Sequence, residues 1–381
     1  MARSRRPQQS SVPQEPRAPR AKGRGGGGDR PPAKAADRPG PERDGGHAGG
    51  RERRGGRPQG EDHPATPAKR LELELPGGAR PRLVAPVILA VSPGRDYELL
   101  DSGDGEKLER YGDLRVRRPE NQAIWPRRLG TPEWENADAL FTGDVEEEGL
   151  GRWQFPREPL GETWPLAHDG MSYLGRFTSF RHVGVFPEQA AHWAFVEDRI
   201  MARAKTGDAP RVLNLFGYTG LASLLAARAG AEVTHVDASK KAIGWARENQ
   251  EIAGLLERPI RWICEDAVRY VEREVKRGSR YDVVLLDPPK FGRGPKGETW
   301  QLFEDLPYLV ALTRALLSDT PDCVVLTAYS IRASFYSLGA VMGEAFRGLG
   351  GAIEAGELVI GEAGEEPRLL STSLFCRWIA E

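Results

Sequence analysis

The strongest constraint on the fold is a regular alternation of short apolar runs with longer amphipathic stretches, from about residue 205 to the end of the chain. Seven of the apolar runs predict strands, at residues 211–216, 232–236, 259–264, 281–286, 322–327, 352–360 and 371–379. The intervening stretches predict helices, at residues 221–229, 239–253, 267–276, 301–317 and 333–349. Crossover connections of this kind favour a parallel sheet with helices on both faces. We therefore predict an α/β fold with a Rossmann-like, doubly wound, seven-stranded sheet.

The first 70 residues differ in composition from the rest of the chain. They contain 17 Lys and Arg against 8 Asp and Glu, which gives a net charge of +9. The other residues contain 37 Lys and Arg against 47 Asp and Glu, which gives −10. The overall net charge of −1 is therefore the sum of a basic N-terminal segment and an acidic remainder. Stretches such as 24–28 and 53–57 are rich in Gly and Arg, and they cannot bury enough apolar surface to offset the entropy of ordering. We expect residues 1–70 to be disordered, and to act either as a tether for a polyanion or as a solvated tail.

Residues 71–170 predict a small β-rich domain ahead of the doubly wound domain at 171–381. The stretch 71–75 alternates leucine with glutamate at the period of a strand. Residues 97–100 and 107–111 predict a hairpin whose turn lies at 101–105. Substrate recognition is one hypothesis for this domain.

Four tryptophans fall in this short region: Trp125, Trp134, Trp153 and Trp164. They either pack between the β-rich domain and its neighbour or form a platform on which bases stack. The second alternative is supported by the arginines on both sides of Trp125, which are Arg115, Arg117, Arg118, Arg127 and Arg128.

The cysteines and the apolar runs limit the class of protein. Cys264, Cys323 and Cys376 are widely spaced and form no CxxC pair, so neither a metal site nor a disulfide framework is predicted. The longest apolar run, residues 83–91, contains Pro86 and is too short to cross a bilayer. The basic N-terminus lacks the apolar segment of a secretory signal. These features predict a cytoplasmic protein that binds neither metal nor membrane.

A glycine-containing turn follows the first predicted strand, and its residues are Phe216, Gly217, Tyr218, Thr219 and Gly220. In doubly wound sheets, ligands bind at the carboxyl ends of the strands. Glycines at such a turn allow the backbone to approach a ligand closely. The spacing is not GxGxxG, so the fingerprint of a nicotinamide cofactor is absent.

Carboxylates follow the next three predicted strands. Asp237 can accept both hydroxyl groups of a ribose, as acids in this position do in dinucleotide sites. Asp266 can accept from an adenine amino group, and Asp287 follows the fourth strand. Asp237 or Asp266 alone is equally well explained as a helix cap. Together with the glycine turn, the three acids indicate a site for an adenosine cofactor of the S-adenosylmethionine (SAM) type.

Asp287 begins the sequence Asp287-Pro288-Pro289-Lys290-Phe291. The prolines fix the backbone and remove two amide donors, which holds the loop open where a planar ring can enter. An acid, two prolines and an aromatic residue at the end of a buried strand suit a site that handles a nucleobase.

Residues 170–330 resemble the bacterial ribosomal-RNA methyltransferases that make 5-methylcytosine or 7-methylguanine in large-subunit RNA. The resemblance rests on an Asn-x-Phe-x-Tyr-Thr-Gly motif at 214–220 and an Asp-Pro-Pro-Lys-Phe motif at 287–291. A weaker similarity at 182–189 looks like the family's entry hairpin to the cofactor site. The resemblance implies a SAM-dependent methyltransferase that acts on RNA, most simply ribosomal RNA.

The resemblance also implies roles for individual residues. The SAM-binding residues would be Phe216, Gly217, Tyr218, Thr219, Gly220, Asp237, Asp266, Ala267 and Asp287. The catalytic residues would be Asp287, Pro288, Pro289 and Phe291.

The chain departs from the members that methylate carbon 5 of cytosine, which need a cysteine nucleophile. That cysteine follows the fifth strand, where this chain has Thr-Ala-Tyr-Ser at 327–330, and Lys290 rather than cysteine follows the two prolines. Cys323 should lie at the opposite end of the fifth strand, roughly 13 Å from Thr327 at ~3.3 Å per residue. We therefore expect non-covalent, in-line transfer to a base nitrogen.

Several alternatives remain open. Lys290, Arg293 and Lys296 either neutralise phosphates or belong to a solvated, glycine-rich loop that can act as a lid. Phe291 or Tyr329 can stack on a base. The acidic body favours a protein or small-molecule substrate, and the missing cysteine suggests a SAM-binding RNA assembly factor without catalysis.

Overall fold

The computed structural model describes residues 70–74, 76–143, 151–207, 209–329 and 331–381. The chain divides into two units, Met1–Pro67 and Ala68–Glu381, and all described residues belong to the second. Apart from Arg70, the tail expected at 1–70 lies outside the described residues.

The first part of this unit consists almost entirely of strands. Its elements are β1 (Arg82–Leu83), β2 (Val87–Val91), β3 (Tyr97–Gly103), β4 (Glu106–Tyr111), β5 (Leu114–Pro119), α1 (Thr131–Glu135), β6 (Ala139–Gly143), β7 (Gly151–Gln154), β8 (Thr163–His168) and β9 (Met171–Arg176). A 3-10 turn at Pro187–Gln189 then leads into α2 (Ala190–Ala204).

Strands and helices alternate in the remainder. They are β10 (Arg211–Leu215), α3 (Leu221–Arg228), β11 (Glu232–Asp237), α4 (Lys240–Ile252), β12 (Ile260–Cys264), α5 (Ala267–Arg277), β13 (Val283–Leu286), β14 (Phe291–Arg293), β15 (Thr299–Gln301), α6 (Leu302–Ala315), β16 (Cys323–Tyr329), α7 (Phe335–Ala345), β17 (Ala352–Gly361) and β18 (Leu369–Ile379).

The main sheet has nine strands in the order β1-β17-β18-β16-β13-β10-β11-β12, with β2 also paired to β17. Strands β10 to β13 and β16 run parallel, whereas β18 is antiparallel to both of its neighbours. Because β10 lies between β11 and β13, the strand order reverses there, which is where doubly wound sheets bind ligands. The predicted α/β fold and all seven predicted strands are confirmed.

Both faces of the sheet are buried, which explains the continuous apolar runs. Leu213 and Val284 face a cluster formed with α5, α6 and α7. Their sequence neighbours Val212 and Val283 face the opposite cluster, formed with α2 and α3. Successive side chains of each strand point to opposite faces of the sheet, so each apolar run contacts both helical layers.

Two edge strands of the main sheet were not predicted. β1 and β2 pair in parallel with β17, Val87 lying opposite Gly356. A β-carbon on Gly356 would lie 1.7 Å from the carbonyl oxygen of Val87, so only glycine permits this approach. The strand predicted at 71–75 is wrong, because the described residues 71–74 form none. Leu71 instead packs against the main core, and its N–H donates to the Tyr308 hydroxyl at 2.7 Å.

The predicted hairpin is confirmed as β3 and β4, which belong to the five-stranded sheet β3-β4-β5-β6-β7. Its turn is shorter than predicted, because β3 continues to Gly103 and β4 begins at Glu106. The tryptophans serve mainly in packing. Trp134 is fully buried and donates to Asp101 at 2.9 Å, and Trp164 stacks on Phe177 with ring centroids 4.4 Å apart. Four of the five nearby arginines form internal ion pairs: Arg117, Arg118, Arg127 and Arg128.

A buried ion pair holds this small sheet together. Both Arg118 and Glu109 are buried, and two guanidinium nitrogens donate to the two carboxylate oxygens at 2.7 and 2.8 Å. Burial alone would raise the pKa of Glu109, but the charges of Arg118 and Lys107 lower it. Arg118 also donates to the carbonyl oxygen of Arg181 at 2.8 Å, so the pair fixes the segment that leads to residues 182–189.

Replacing Arg118 with methionine should lower the free energy of unfolding by about 3–5 kcal/mol, because it leaves the Glu109 charge buried and uncompensated. Urea denaturation measures this loss. Adding Glu109→Gln should restore part of it. Arg115→Met, a partly exposed site on the same strand, should change stability by less than about 0.5 kcal/mol. Equal losses from Arg118→Met and Arg115→Met would contradict the role of the pair.

Candidate functional site

A cleft of about 400 Å³ opens at the carboxyl ends of the parallel strands. Its volume lies in the range of small-molecule sites, roughly 300–1,000 Å³. The site residues predicted from the sequence that line it are Phe216, Tyr218, Asp237, Asp266, Ala267, Asp287, Pro288 and Pro289. The fold thus brings the glycine turn, the three acids and the two prolines together.

A smaller cavity of about 70 Å³ lies deeper, beside the end of β10. It shares Phe186, Phe216, Tyr218 and Asp287 with the cleft, and it is also lined by the predicted residues Gly217 and Thr219. Its far wall contains buried polar side chains, which are Gln189, His192, Asn214 and Thr327.

The turn after β10 has an unusual backbone. Phe216 and Tyr218 both adopt left-handed conformations, with φ of 58° and 50°. Bulky residues rarely adopt this conformation, and such strain concentrates at functional sites. Gly217 lies between them, where a β-carbon would come within 2.4 Å of the His235 ring. The turn is therefore held in one shape by its surroundings.

The carboxylate of Asp237 is one of the groups that hold the turn after β10 in place. Its two oxygens accept from the backbone N–H groups of Tyr218 at 2.9 Å and Ser239 at 2.7 Å. Burial raises the pKa of Asp237, and these two donors oppose the shift. The N-cap of α4 is Ser239, as predicted, so Asp237 is not the cap.

Asp266 both lines the cleft and caps a helix. Its side chain accepts from the N–H of Arg269 at 3.0 Å, at the start of α5. The cap interpretation is therefore confirmed for Asp266, while its position still leaves it on the cleft wall.

Pro289 and the residues after it are anchored by a short hairpin. The expected glycine-rich loop is the antiparallel pair β14 and β15, and the Trp300 indole donates to the Pro289 carbonyl at 2.7 Å. Glu298 ties the hairpin to α5 through an ion pair with Arg269 at 3.0 Å. Of the three cations predicted there, Lys290 and Arg293 line the cleft.

Two predicted site residues lie outside the lining of both cavities. Phe291 is 42% exposed on the hairpin. Gly220 has φ of 84°, and a β-carbon there would meet Ala246 at 2.9 Å, so it shapes the turn before α3.

Sequence reasoning missed several lining residues, among them Gln189, His192, Thr327 and Trp300. Gln189 lay within the segment likened to an entry hairpin, but that segment is a loop followed by a 3-10 turn. The Thr219 hydroxyl donates to the Gly184 carbonyl at 2.7 Å and joins the segment to the glycine turn. No local pattern in the sequence indicates that His192 on α2 reaches the end of β10.

Cys264 lies next to the cleft, because its thiol donates to the carbonyl oxygen of Ala238, a cleft-lining residue, at 3.7 Å. Cys264 is exposed at the end of β12, and Cys323 and Cys376 are buried. Burial raises the pKa of Cys323 to about 12 and that of Cys376 further still. None of the three lines the cleft or the inner cavity as described.

Within the described ranges, no group of three or more His, Cys, Asp or Glu side chains is placed to hold a metal ion. The same residues contain no helix with the length and apolar character needed to cross a membrane.

Gly217→Ala should lower the free energy of unfolding by about 1–3 kcal/mol, because the added methyl group overlaps the buried His235 ring. Gly244→Ala is the matched control, since open space surrounds that position on α4. It should raise stability by about 0.5–1 kcal/mol through helix propensity. Thermal and urea unfolding measure both changes. A stable Gly217→Ala protein would show that the turn is less constrained than its contacts indicate.

Comparisons with known proteins agree with this geometry. A family model described as "Conserved hypothetical protein 95" matches residues 199–309. Ribosomal RNA large subunit methyltransferase I of Aeromonas salmonicida is 32% identical over 39% of this chain and 35% of its own length. Ribosomal RNA large subunit methyltransferase K of Neisseria meningitidis is 26% identical over 51% of this chain and 54% of its own. The chain thus spans about a third to a half of these two relatives.

A solved structure matches much more of the chain. The SAM-dependent methyltransferase from Agrobacterium tumefaciens is 56% identical, with a TM-score of 0.78, over 82% of this chain and all of that one.

The residues of the cleft fit SAM. Its adenosine half needs acceptors for hydroxyl and amino groups, and the cleft offers the carboxylates of Asp237 and Asp266. Its amino-acid half carries charged groups, and the inner cavity has two buried donors, Gln189 Nε2 and His192 Nε2, with no hydrogen-bond partner among the described residues. Given the extent of the match to the Agrobacterium enzyme, this chain belongs to the SAM-dependent methyltransferases.

Proposed function

We propose that this protein methylates RNA, most simply ribosomal RNA, at a nitrogen atom of a base. The observation that carries the proposal is the Asp287-Pro288-Pro289 turn at the end of β13, which faces the cleft in a SAM-dependent methyltransferase. The similarity to ribosomal RNA large subunit methyltransferases over a third to a half of the chain supports the choice of substrate.

The cofactor would lie across both cavities. In this arrangement Asp237 accepts from the ribose, Asp266 and Ala267 border the adenine, and the methyl group points toward Asp287. The turn that would surround the amino-acid end consists of Phe216, Gly217, Tyr218 and Thr219, with Gly220 fixing its path into α3. When bound, SAM supplies an electrophilic methyl group on a positively charged sulfur.

The chain's own contribution would be to position the acceptor nitrogen. Asp287 would accept an N–H of the base amine, which aims the nitrogen lone pair at the methyl carbon and favours the cationic group electrostatically. As the nitrogen–carbon bond forms, the carbon–sulfur bond would break to leave S-adenosylhomocysteine, and Asp287 would accept the proton that the amine loses. Pro288 and Pro289 lack N–H groups, so none competes for the acceptor atom. Orientation of this kind can lower a barrier by up to ~7–11 kcal/mol.

Aromatic side chains around the cleft suit a base lifted out of its stack. Tyr329 and Phe186 have ring centroids 5.0 Å apart, and the Tyr329 hydroxyl is buried with no hydrogen-bond partner among the described residues. Phe180 lines the cleft and is 40% exposed. Phe291, which is also exposed, follows the Asp-Pro-Pro turn in the sequence. These rings can stack on the target base and on its neighbours.

The absence of cysteine from the described cleft supports attack by a nitrogen. Methylation of cytosine carbon 5 requires a preceding thiolate attack on the ring. A nitrogen lone pair needs no such activation, so positioning by Asp287 and the cleft walls suffices.

Positive charge at the cleft and in residues 1–70 supports RNA over a protein or small-molecule substrate, although the rest of the chain is acidic. Lys290 and Arg293 line the cleft, and residues 1–70 carry an excess of nine positive charges. We assign RNA tethering to residues 1–70, substrate recognition to 71–170 and catalysis to 171–381. Methylation of ribosomal RNA would take place in the cytoplasm.

Asp287→Asn should reduce methyl transfer to RNA by about 10²- to 10³-fold, because it removes the carboxylate beside the reacting atoms. Binding of S-adenosylhomocysteine (SAH) should change by less than about tenfold, since the substitution is isosteric. Transfer of labelled methyl to RNA from cells lacking the gene gives the rate, and calorimetry gives the affinity. Asp319→Asn, at an exposed carboxylate, is the control.

The same RNA, digested to nucleosides and analysed by mass spectrometry, identifies the methylated atom. Transfer to protein but not to RNA would overturn the proposal in favour of a protein substrate. Label on carbon 5 of cytosine would overturn the assignment to nitrogen.

Replacing the Lys and Arg of residues 1–69 with glutamine should weaken RNA binding at low salt and leave SAH binding unchanged. The slope of log affinity against log salt concentration should become shallower by ~0.7 for each lost phosphate contact with single-stranded RNA. Replacing the Asp and Glu of the same residues is the matched control, and it should not weaken binding. An unchanged slope would favour a tail that is merely solvated.

A further inference from the structure

Two side chains in the inner cavity present buried donors without acceptors among the described residues. Gln189 is 7% exposed and His192 is 3% exposed, and both line the cavity. Their Nε2 atoms are buried and make no hydrogen bond to a described residue. Buried donors are nearly always paired, since leaving one unpaired costs free energy. Two such donors on one small cavity indicate an acceptor that binds there.

The protonation of His192 follows from its neighbour. Arg377 Nε donates to His192 Nδ1 at 3.0 Å. A guanidinium has only donors, so Nδ1 must be the acceptor and the proton of the neutral ring lies on Nε2. Burial and the charge of Arg377 hold the pKa of His192 well below its usual range, so the ring stays neutral. The proton of His192 is therefore fixed on the buried Nε2, in a residue that lines the cavity.

Gln189 is oriented in a similar way. The Thr327 hydroxyl donates to Gln189 Oε1 at 3.3 Å, which occupies the carbonyl end of the amide. The amide nitrogen is left as the buried end without an acceptor among the described residues. The two donors thus have fixed directions before any ligand binds.

Arg377 adds a positive charge behind these donors. It is 4% exposed, and the carboxylate recorded near it, Glu354, is 3.9 Å away. Besides His192, it contacts the carbonyl oxygen of Ala191 at 3.0 Å and the rings of Phe195 and Phe375, whose centroids lie 4.2 and 5.4 Å from the guanidinium carbon. A buried cation without a close carboxylate is costly, and an anion in the adjoining cavity would compensate for it.

We propose that Gln189 and His192 form a carboxylate subsite that binds the amino-acid end of SAM, with Arg377 as the positioning residue that fixes His192. The inference rests on the proposed placement of the amino-acid end beside the turn at 216–219. The inner cavity adjoins that turn, because Phe216, Gly217, Tyr218 and Thr219 all line it. The acceptor that the two donors lack is then the ligand's own carboxylate.

The test compares two ligands that differ only in this carboxylate: SAH and its decarboxylated form, S-adenosyl-3-thiopropylamine. Calorimetry on the full chain measures both affinities. His192→Phe should weaken SAH binding by roughly 10- to 100-fold, as expected for loss of a hydrogen bond to a charged group. It should leave the affinity for the decarboxylated ligand unchanged. If His192 has only a structural role, the substitution should lower the affinities for both ligands alike, and that result would overturn the proposal.

His168→Phe is the matched control. That histidine packs edge-on against Trp193, with ring centroids 4.9 Å apart, and it does not line the cavity. It should alter neither affinity. Arg377→Met should also reduce selectivity for SAH, because the ring of His192 loses the donor that fixes it. Gln189→Leu gives an independent reading of selectivity if a substitution at His192 prevents folding.

Asp237→Asn separates this inference from the proposed cofactor site. It should weaken both ligands equally, because it acts at the ribose. If it weakens neither, the placement of the cofactor is wrong and the subsite is wrong with it. If it weakens both while His192→Phe and Gln189→Leu leave the selectivity for SAH intact, the cofactor site stands and the carboxylate subsite is overturned.

Discussion

The site depends on how the turn after β10 is held. Phe216 and Tyr218 adopt left-handed conformations that bulky residues avoid, and the surrounding structure must compensate for that strain. The Asp237 carboxylate does so by accepting from the Tyr218 backbone, while Gly217 fits closely over His235. The same carboxylate also accepts from the N–H of Ser239 just before α4. A single acid thus connects the turn, the end of β11 and a helix, and it positions the wall shared by both cavities.

The doubly wound part of the fold could be predicted because its signals are local. Apolar runs predicted all seven strands, Ser239 was recognised as a cap, and the residues after successive strands were expected at one edge of the sheet. The errors arose where partners are distant in sequence. β1 and β2 pair with β17, and no local period reveals a partner some 270 residues away. The leucines at 71 and 73 alternate as in a strand, yet they pack against the helical layer instead.

The candidate site was predictable to the extent that it follows the strand ends. Most predicted residues line the cleft or the inner cavity, whereas Gly220 shapes the turn and Phe291 lies on the exposed face of the hairpin. Residues contributed by other elements escaped prediction. His192 lies on α2, and its orientation depends on Arg377 in the last strand. Such a contact joins parts of the chain that carry no common motif, so only the folded arrangement reveals it.

The pairing of β1 and β2 with β17 has a consequence for how the polypeptide reaches its final form. These two strands are synthesised some 270 residues before β17, the strand that completes their hydrogen bonds. The backbone N–H and C=O groups of β1 and β2 lack their hydrogen-bond partners until β17 is present. Contacts this distant in sequence also form slowly, because of the entropy of loop closure. The edge of the sheet can therefore close only after β17 itself has left the ribosome.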